Sequence, residues 1–279
     1  MPKGKPQTLL SKADLKEVCD LVYEKAGMVF GESKRYYVER RVTDRMLASG
    51  ALGSREYIAY LRANGREAEL LINCFTVNET YFYREEHQFA CLVQYILPRI
   101  VETKRPGDRV RIWTMPCSTG EEPYSIALWL LENWPLVDAY NIEIVGSDID
   151  TEVLRRAAEG MYGSRSLGRL NAQLLDTYFH PVQHGEWELI EDIRQSVTLT
   201  SANIVDRRTL ADHRNFDVIF CRNLLIYFDE KARALAAENI HYCLSPGGYV
   251  CLGHTESMMR ISDNFEAIRF PDAIVYKGL

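Results

Sequence analysis

From residue 109 onward, short apolar runs alternate with longer helical patterns, and this alternation constrains the fold more than any other feature. RVRIWTM (109–115), NIEIVGSDID (141–150), FDVIFCRN (216–223), PGGYVCLG (246–253) and AIVYKG (273–278) read as strands. Between them, EEPYSIALWLLENW (121–134), TEVLRRAAEG (151–160) and DEKARALAAENIHYCL (229–244) read as helices. Strands separated by helices imply an α/β fold, a doubly wound parallel sheet with helices on both faces. In residues 160–200 a helix (NAQLLDTYF) precedes two alternating segments, EWELIEDI and SVTLTSANI; the first reads as a hairpin inserted in the larger domain.

Before residue 107 the texture is helical. LKEVCDLVYEKAG (15–27) and RYYVERRVTDRMLASG (35–50) each carry an apolar stripe of helical period and stop at glycine. SREYIAYLRANG (54–65) reads as a third helix with Ser54 as N-cap and Gly65 at its end. REAELLINCF (66–75) is a fourth, completing a small bundle. TVNETYFYREEHQF (76–89) is a polar, aromatic connector, followed by a further helix, FACLVQYILPRIVETK. The expected division is a helical domain at 1–76, a connector at 77–90, and an α/β domain at 91–279 with a β insert at about 180–200.

Composition excludes several classes. With 279 residues, 47% hydrophobic, the chain can bury a core without disulfides or a structural metal. Its 7 cysteines are odd in number and lack a C-x-x-C pair, so reduced thiols are expected. The 6 histidines form no H-E-x-x-H; His180 and His184, beside Pro181 and Gly185, read as a surface pair in a turn and not as metal ligands. Apolar runs such as IALWLL (126–131) fall far short of the ~20 residues of a membrane span. MPKGKPQTLL lacks a signal-peptide core, so a cytoplasmic protein is expected.

The net charge of −6 argues against nucleic acid as the main partner. The charge is unevenly spread. Residues 1–75 hold 13 Lys and Arg against 10 Asp and Glu; the remainder holds 20 against 29. The surplus sits in KRYYVERRVTDRML (34–47), where Lys34, Arg35, Arg40, Arg41 and Arg45 stand against Glu39 and Asp44. Tyr37, Arg41 and Arg45 share a helix face. Two readings stand: a solvated face, or a docking face for an acidic partner.

In an open α/β sheet, ligands bind beyond the carboxyl ends of the strands. PCSTGEEPYS (116–125) holds one glycine, Gly120, where a dinucleotide fingerprint needs three, and its two carboxylates would repel a pyrophosphate. A cationic ligand fits better, although the helix macrodipole alone also favours Glu121 and Glu122 there. Asp148 in GSDID (146–150) is placed to accept from two ribose hydroxyls; the alternative, an N-cap, suits Asp150 or Thr151 better. In CRNLLIYFD (221–229), Arg222 and Asn223 follow a buried strand and point into the crevice, while Tyr227 alone reads equally as a half-buried aromatic. Asn78, Thr80 and Arg84, among Tyr81, Phe82 and Tyr83, suit a lid or clamp, or a plain interdomain linker. Together these loops describe a nucleoside site without a phosphate cradle, which suits S-adenosylmethionine.

FTVNETYFYREEHQF, STGEEPYS, SDIDTEVL, FDVIFCRNLLIYFD, LSPGGY and LGHTES resemble, as a set, the chemotaxis receptor methyltransferase family CheR. The resemblance spans nearly the whole chain. It implies a small all-α domain before a methyltransferase domain carrying a small β-subdomain. It implies methyl transfer from S-adenosylmethionine to glutamate side chains on the cytoplasmic methylation helices of chemoreceptors, leaving S-adenosylhomocysteine. It implies cofactor contacts from Asn78, Thr80 and Arg84, with Glu122 at the amino-acid end and Asp148 at the ribose. Asn203 and Ile204 would border the adenine, Arg222 and Asn223 the remaining side, and Arg84 and Tyr227 would stand nearest the methyl group. The basic second helix would face the receptor. One part departs: some members use a glycine-rich β-subdomain loop to bind a pentapeptide tether, whereas HPVQHGEWELIEDIRQ here has a single glycine, Gly185, and four acids. An acidic subdomain would repel a peptide carboxylate, so tether binding is not expected.

A glutamate acceptor is already ionised near neutrality and needs no strong base. The demands are in-line alignment and exclusion of water. Arg84 is expected to orient the incoming carboxylate and Tyr227 to pack beside the methyl. Two other readings remain. One is a methyltransferase acting on nucleic acid or a small molecule; an exocyclic-amine methyltransferase would want a [DN]-P-P-[YF] loop where this chain has CRNLLIY. A non-catalytic binding module would carry damaged loops.

Overall fold

The computed structural model describes residues 10–279; residues 1–9, which include most of the N-terminal stretch read for a signal peptide, lie outside the described residues. The chain divides into two compact units. One runs to Val77 and includes Tyr227–Asp229; the other comprises Asn78–Ile226 and Glu230–Leu279.

The first unit holds α1 (Lys12–Ala26), α2 (Arg35–Ser49), α3 (Ser54–Ala63) and α4 (Gly65–Asn73). Ser11 and Asp14 form a reciprocal capping box at the start of α1, which satisfies two amides that have no partner within the helix. Gly27 closes α1 at φ 69, a left-handed position cheap only for glycine. Val18, Val22, Val38, Val42, Tyr57 and Leu71 are buried at the centre of this unit. Two expected caps move. Gly53, not Ser54, is the N-cap of α3, because the Ser54 hydroxyl donates instead to Asp14 at 3.0 Å. Gly65 does not end α3 but begins α4, capped by Asn64, whose side chain accepts from the Glu67 amide. Residues 227–229 add to this unit through an antiparallel bridge between Met28 and Phe228 and a 3.2 Å bond from the Val29 amide to the Tyr227 carbonyl.

The second unit opens with α5 (Glu86–Cys91), a π-helical segment (Leu92–Ile96) and α6 (Leu97–Val101). The expected single helix is widened just before Pro98, which has no N–H to donate back to the preceding turn. Then follow β1 (Arg109–Thr114), α7 (Glu121–Asn133), β2 (Asn141–Asp148), α8 (Thr151–Glu159), β3 (Met161–Gly163), α9 (Ser164–Leu167), α10 (Ala172–Tyr178), β4 (Phe179–Pro181), β5 (Glu186–Leu189) and α11 (Glu191–Gln195). The chain ends with β6 (Val197–Ser201), β7 (Phe216–Cys221), α12 (Glu230–Cys243), β8 (Leu244–Leu252), β9 (Phe265–Arg269) and β10 (Ile274–Gly278).

The main sheet has the order β6-β2-β1-β7-β8-β10-β9. The first five strands are parallel, and β10 runs antiparallel to both β8 and β9. Thr114 lies level with Gly146 and Phe220, and Asp148 with Ser201, so the loops after β1, β2, β6 and β7 open on one edge. Central β7 is buried along its whole length, as the run FDVIFC requires.

A separate antiparallel sheet has the order β3-β5-β4. This corrects the expected insert at about 180–200 in two respects. EWELIEDI supplies one strand and then a helical turn, and its partners are three-residue strands at 161–163 and 179–181. SVTLTSANI is no part of that sheet: β6 pairs with β2 at the edge of the main one. Strands of three residues are too short to display an alternation, which is why the sequence pattern hides them. Strand β9, unanticipated, pairs with β10 across a short turn. Among the described residues no helix is long and apolar enough to cross a membrane.

Candidate active site

The loops at the carboxyl edge of the second unit are tied together by buried polar groups. After β1, Ser118 adopts φ 48 and Gly120 φ 93. A Cβ on Gly120 would lie 2.7 Å from the Tyr124 ring and 3.0 Å from Ala157, so the tight turn into α7 admits only glycine. This turn presents two carboxylates that meet different fates. Glu121 is consumed by the fold: Thr119 and Ser166 hydroxyls donate to it at 2.6 and 2.7 Å. Glu122 pairs with Arg222 at 2.7 Å through Oε2, while its Oε1 is buried without a hydrogen-bond partner among the described residues. Burial is the main cause that raises its pKa to about 7, against the pull of Arg222.

At the end of β2, Asp148 is 2% exposed. Its oxygens accept from the amides of Ser118 and Asp150, both at 2.9 Å. Burial raises its pKa to about 6, and the backbone amides of Asp150, Ser118 and Ile149 oppose the rise. The N-cap of α8 is Asp150, which accepts from the amides of Glu152 and Val153. Asp148 is therefore released from capping. Its carboxylate has about four acceptor sites, and the backbone amides of Asp150, Ser118 and Ile149 all favour its charged form.

The connector reaches the same edge. Asn78 Nδ2 donates to Asp150 at 3.1 Å. Arg84 donates to the Glu79 carbonyl at 2.7 Å, closing the strip around the half-buried Thr80. Tyr83 and Glu85 both take left-handed φ, 58 and 55, which turns the chain sharply into α5. Glu85 meets Arg222 at 3.2 Å and His254 at 2.9 Å. Arg222, its side chain 2% exposed, thus bridges Glu85 and Glu122, and it also donates to the Arg84 carbonyl at 2.7 Å. Asn223 beside it sits at φ 60.

After β6, the Asn203 side chain accepts from the Val205 amide at 3.2 Å and its own amide donates to Thr209 at 2.9 Å. Ile204 is 2% exposed and its carbonyl is held by Asn239 at 2.7 Å, so its side chain belongs to the core. Asn78, Arg84, Glu122, Asp148, Arg222 and Asn223 are brought into one bonded set of loops. Tyr227, half-buried, is grouped with the helical unit. Sequence reasoning missed Glu85, Asp150 and Glu256 as members of the network, the last accepting from the Asn223 amide at 2.7 Å. Only the acid at 150, two residues past the end of β2, carried a visible signal, and that signal read as a cap.

The basic surface on α2 is partly spent within the first unit. Arg45 forms a two-pronged pair with buried Glu67, at 3.0 and 2.6 Å, and Tyr57 donates to the same carboxylate at 2.8 Å. Arg41 stacks 3.6 Å from the Tyr37 ring centre and donates to the Cys74 carbonyl. Arg35 pairs with Glu39 at 2.7 Å. Lys34 and Arg40 are exposed. No group of three or more His, Cys, Asp or Glu side chains is arranged for a metal ion among the described residues.

A sheet of this order, with a buried acid ending its second strand and a buried half-satisfied carboxylate where a phosphate cradle would stand, fits an S-adenosylmethionine-dependent methyltransferase. Residues 78–274 match the family described as CheR methyltransferase, SAM binding domain, and residues 13–76 match CheR methyltransferase, all-alpha domain. The chain belongs to the CheR methyltransferase family. It is 46% identical over 272 residues to chemotaxis protein methyltransferase 2 of Vibrio cholerae, covering 97% of this chain and 94% of that one. It is 32% identical to the chemotaxis protein methyltransferase of Vibrio parahaemolyticus, covering 96% and 98%. It is 31% identical to chemotaxis protein methyltransferase 1 of Pseudomonas aeruginosa, covering 90% and 93%.

Proposed function

We propose that this chain methylates glutamate carboxylates on the cytoplasmic helices of a chemoreceptor, giving methyl esters in an adaptation pathway. The observation that carries the reading is Glu122: a buried carboxylate with one oxygen paired to Arg222 and the other unpartnered among the described residues. A cationic amino-acid ammonium fits that oxygen, and a phosphate does not. The relatives' names, all chemotaxis protein methyltransferases, point to receptor substrates.

When bound, S-adenosylmethionine supplies the methyl group as an electrophilic sulfonium. The chain's own residues have the other tasks. Glu122 receives the ammonium, Asp148 the ribose hydroxyls, and Asn78, Thr80, Asn203, Ile204, Arg222 and Asn223 border the remaining faces. Arg84 orients the acceptor carboxylate, which needs no base because it is ionised near neutrality. Tyr227 packs beside the methyl. In this reading residues 1–76 face the receptor through Lys34, Arg35, Arg40, Arg41 and Arg45, residues 77–90 complete the cofactor site, and the protein works in the cytoplasm. A peptide tether and nucleic acid are left out, because the small sheet's surroundings are acidic and the whole chain carries −6.

The test is transfer of labelled methyl from S-adenosylmethionine to a receptor cytoplasmic fragment, with its acceptor glutamates changed to alanine as the control. Calorimetric titration with S-adenosylhomocysteine, alongside Asp148→Ala, separates cofactor binding from acceptor choice. Cofactor binding without base-labile methyl incorporation would sink the receptor reading.

A further inference from the structure

The loop LGHTES after β8 is part of the sequence set above but has no role in the reading so far. Its acid, Glu256, does not face outward. One oxygen accepts from the Asn223 amide at 2.7 Å and from the Gly253 amide at 2.9 Å. Burial raises its pKa, and the backbone amides of Asn223, Gly253, Leu225 and Ile226 oppose the rise. Two backbone donors from two loops thus converge on one oxygen of the carboxylate, while its Oε1 is buried without a hydrogen-bond partner among the described residues; a nest of paired amides of this kind elsewhere holds a free anion. Here the anion is built into the chain.

The nest fixes an otherwise costly conformation. Asn223 sits at φ 60, a left-handed position that asparagine tolerates but does not prefer over the β or α regions. Gly253 lies against the same group on the other side: a Cβ there would lie 2.8 Å from Asn223 Nδ2 and 2.9 Å from Glu256 Oε2, so those side-chain ends would have to shift. The two loops therefore close on each other around a single side chain.

We propose that Glu256 is a positioning residue for the cofactor site: its carboxylate holds residues 223–226 so that Asn223 stays in its left-handed conformation at the end of β7. The proposal rests on the reading of Asn223 as a neighbour of the cofactor. Glu256 touches no reacting atom and acts through Asn223. Replacing it with glutamine keeps an oxygen for the two amides but removes the charge that strengthens both bonds, and it leaves an amide N–H at the buried, unpartnered Oε1 position. The loop then relaxes and Asn223 leaves its place.

The experiment is a double-mutant cycle read by S-adenosylhomocysteine affinity on the full chain. Glu256→Gln is expected to weaken binding about tenfold or more, the scale of losing charged hydrogen bonds. Asn223→Ala should weaken it comparably. The double variant should be no worse than the poorer single, because both act through one group. Gly253→Ala should reproduce the Glu256→Gln loss with the carboxylate intact, and it carries the test if Glu256→Gln fails to fold. Glu256→Asp should recover part of the affinity. In turnover, KM for the cofactor should rise by a larger factor than kcat falls. Folded Glu256→Gln or Gly253→Ala with wild-type affinity overturns the proposal, as does an additive double variant. An Asn223→Ala variant with unchanged affinity removes the Asn223 reading and this proposal with it. An Asn223 effect without a Glu256 effect removes this proposal alone.

Discussion

Arg222 and Glu122 form an ion pair 2.7 Å long between side chains that are 2% and 13% exposed. A pair so deep is weak evidence for stability, because desolvation of both ions offsets much of their attraction. Its value lies in geometry. Arg222 neutralises only one oxygen of Glu122 and shares itself with Glu85 at 3.2 Å. The second Glu122 oxygen is kept in a buried place, facing no cation of the chain at hydrogen-bonding distance among the described residues.

Glu122→Gln should leave the fold intact and weaken S-adenosylhomocysteine binding about 10- to 100-fold, the scale of one charge-assisted hydrogen bond. A competitor lacking the amino group should bind wild type and variant alike. Calorimetry on both ligands checks this. Equal losses for the two ligands would move the ammonium site elsewhere.

Arg222→Ala should act mainly on stability. It strands Glu85 and Glu122 as buried carboxylates, and breaking a buried pair from one side costs about 3–5 kcal/mol. Thermal unfolding should show a Tm several degrees lower, with part of the loss recovered below about pH 6, where the stranded acids can protonate. A variant as stable as wild type would contradict the network described here.

Cofactor affinity should rise with pH. Glu122 has a pKa of about 7 and Asp148 of about 6 in the protein without cofactor, both raised chiefly by burial. Both must be ionised to accept the ammonium and the hydroxyls. Raising the pH from about 5.5 to 8 should therefore tighten S-adenosylhomocysteine by roughly 30-fold from Glu122 alone. On stability the sign reverses. Unfolded carboxylates ionise near pH 4 and the folded ones hold their protons longer, so the cofactor-free fold loses this contribution as pH rises from about 4 to 7. The Tm gain on adding S-adenosylhomocysteine should be larger at about pH 8 than at pH 5.5. A flat profile would mean that neither carboxylate changes charge on binding.

Much of this was legible in the sequence because parallel strands are buried on both faces and read as plain apolar runs. FDVIFC and VRIWT announce β7 and β1, and the loops after them carry Glu122, Arg222 and Asn223. Asp148 stood out because Asp150 was the better cap, and Asp150 is the cap. The small sheet was hidden, since three-residue strands show no period. Glu256 was hidden for a different reason. Its partners are two backbone amides, that of Gly253 close by and that of Asn223, 33 residues away, and backbone donors leave no mark in composition. Arg45 and Arg40 are alike in sequence and differ only in whether Glu67, from α4, reaches them.

That difference gives the last prediction. Arg45 meets Glu67, a carboxylate 4% exposed that also takes the Tyr57 hydroxyl. The Arg45 hydrogen bonds help hold the Glu67 pKa low despite its burial. Arg45→Ala should lower the Tm of the protein measurably, and this loss of fold, more than the loss of a docking charge, should weaken methylation. Arg40, exposed, should behave oppositely. Arg40→Glu should leave the Tm within about 1 °C, in line with surface substitutions of about ±0.5 kcal/mol, and leave S-adenosylhomocysteine affinity unchanged. It should nonetheless raise KM for an acidic receptor fragment several-fold, more so at low salt, because a reversed rim charge acts through long-range attraction. Steady-state methylation at two ionic strengths decides the matter. An Arg40→Glu enzyme with unchanged KM at low salt would return α2 to the plainer reading of a solvated face.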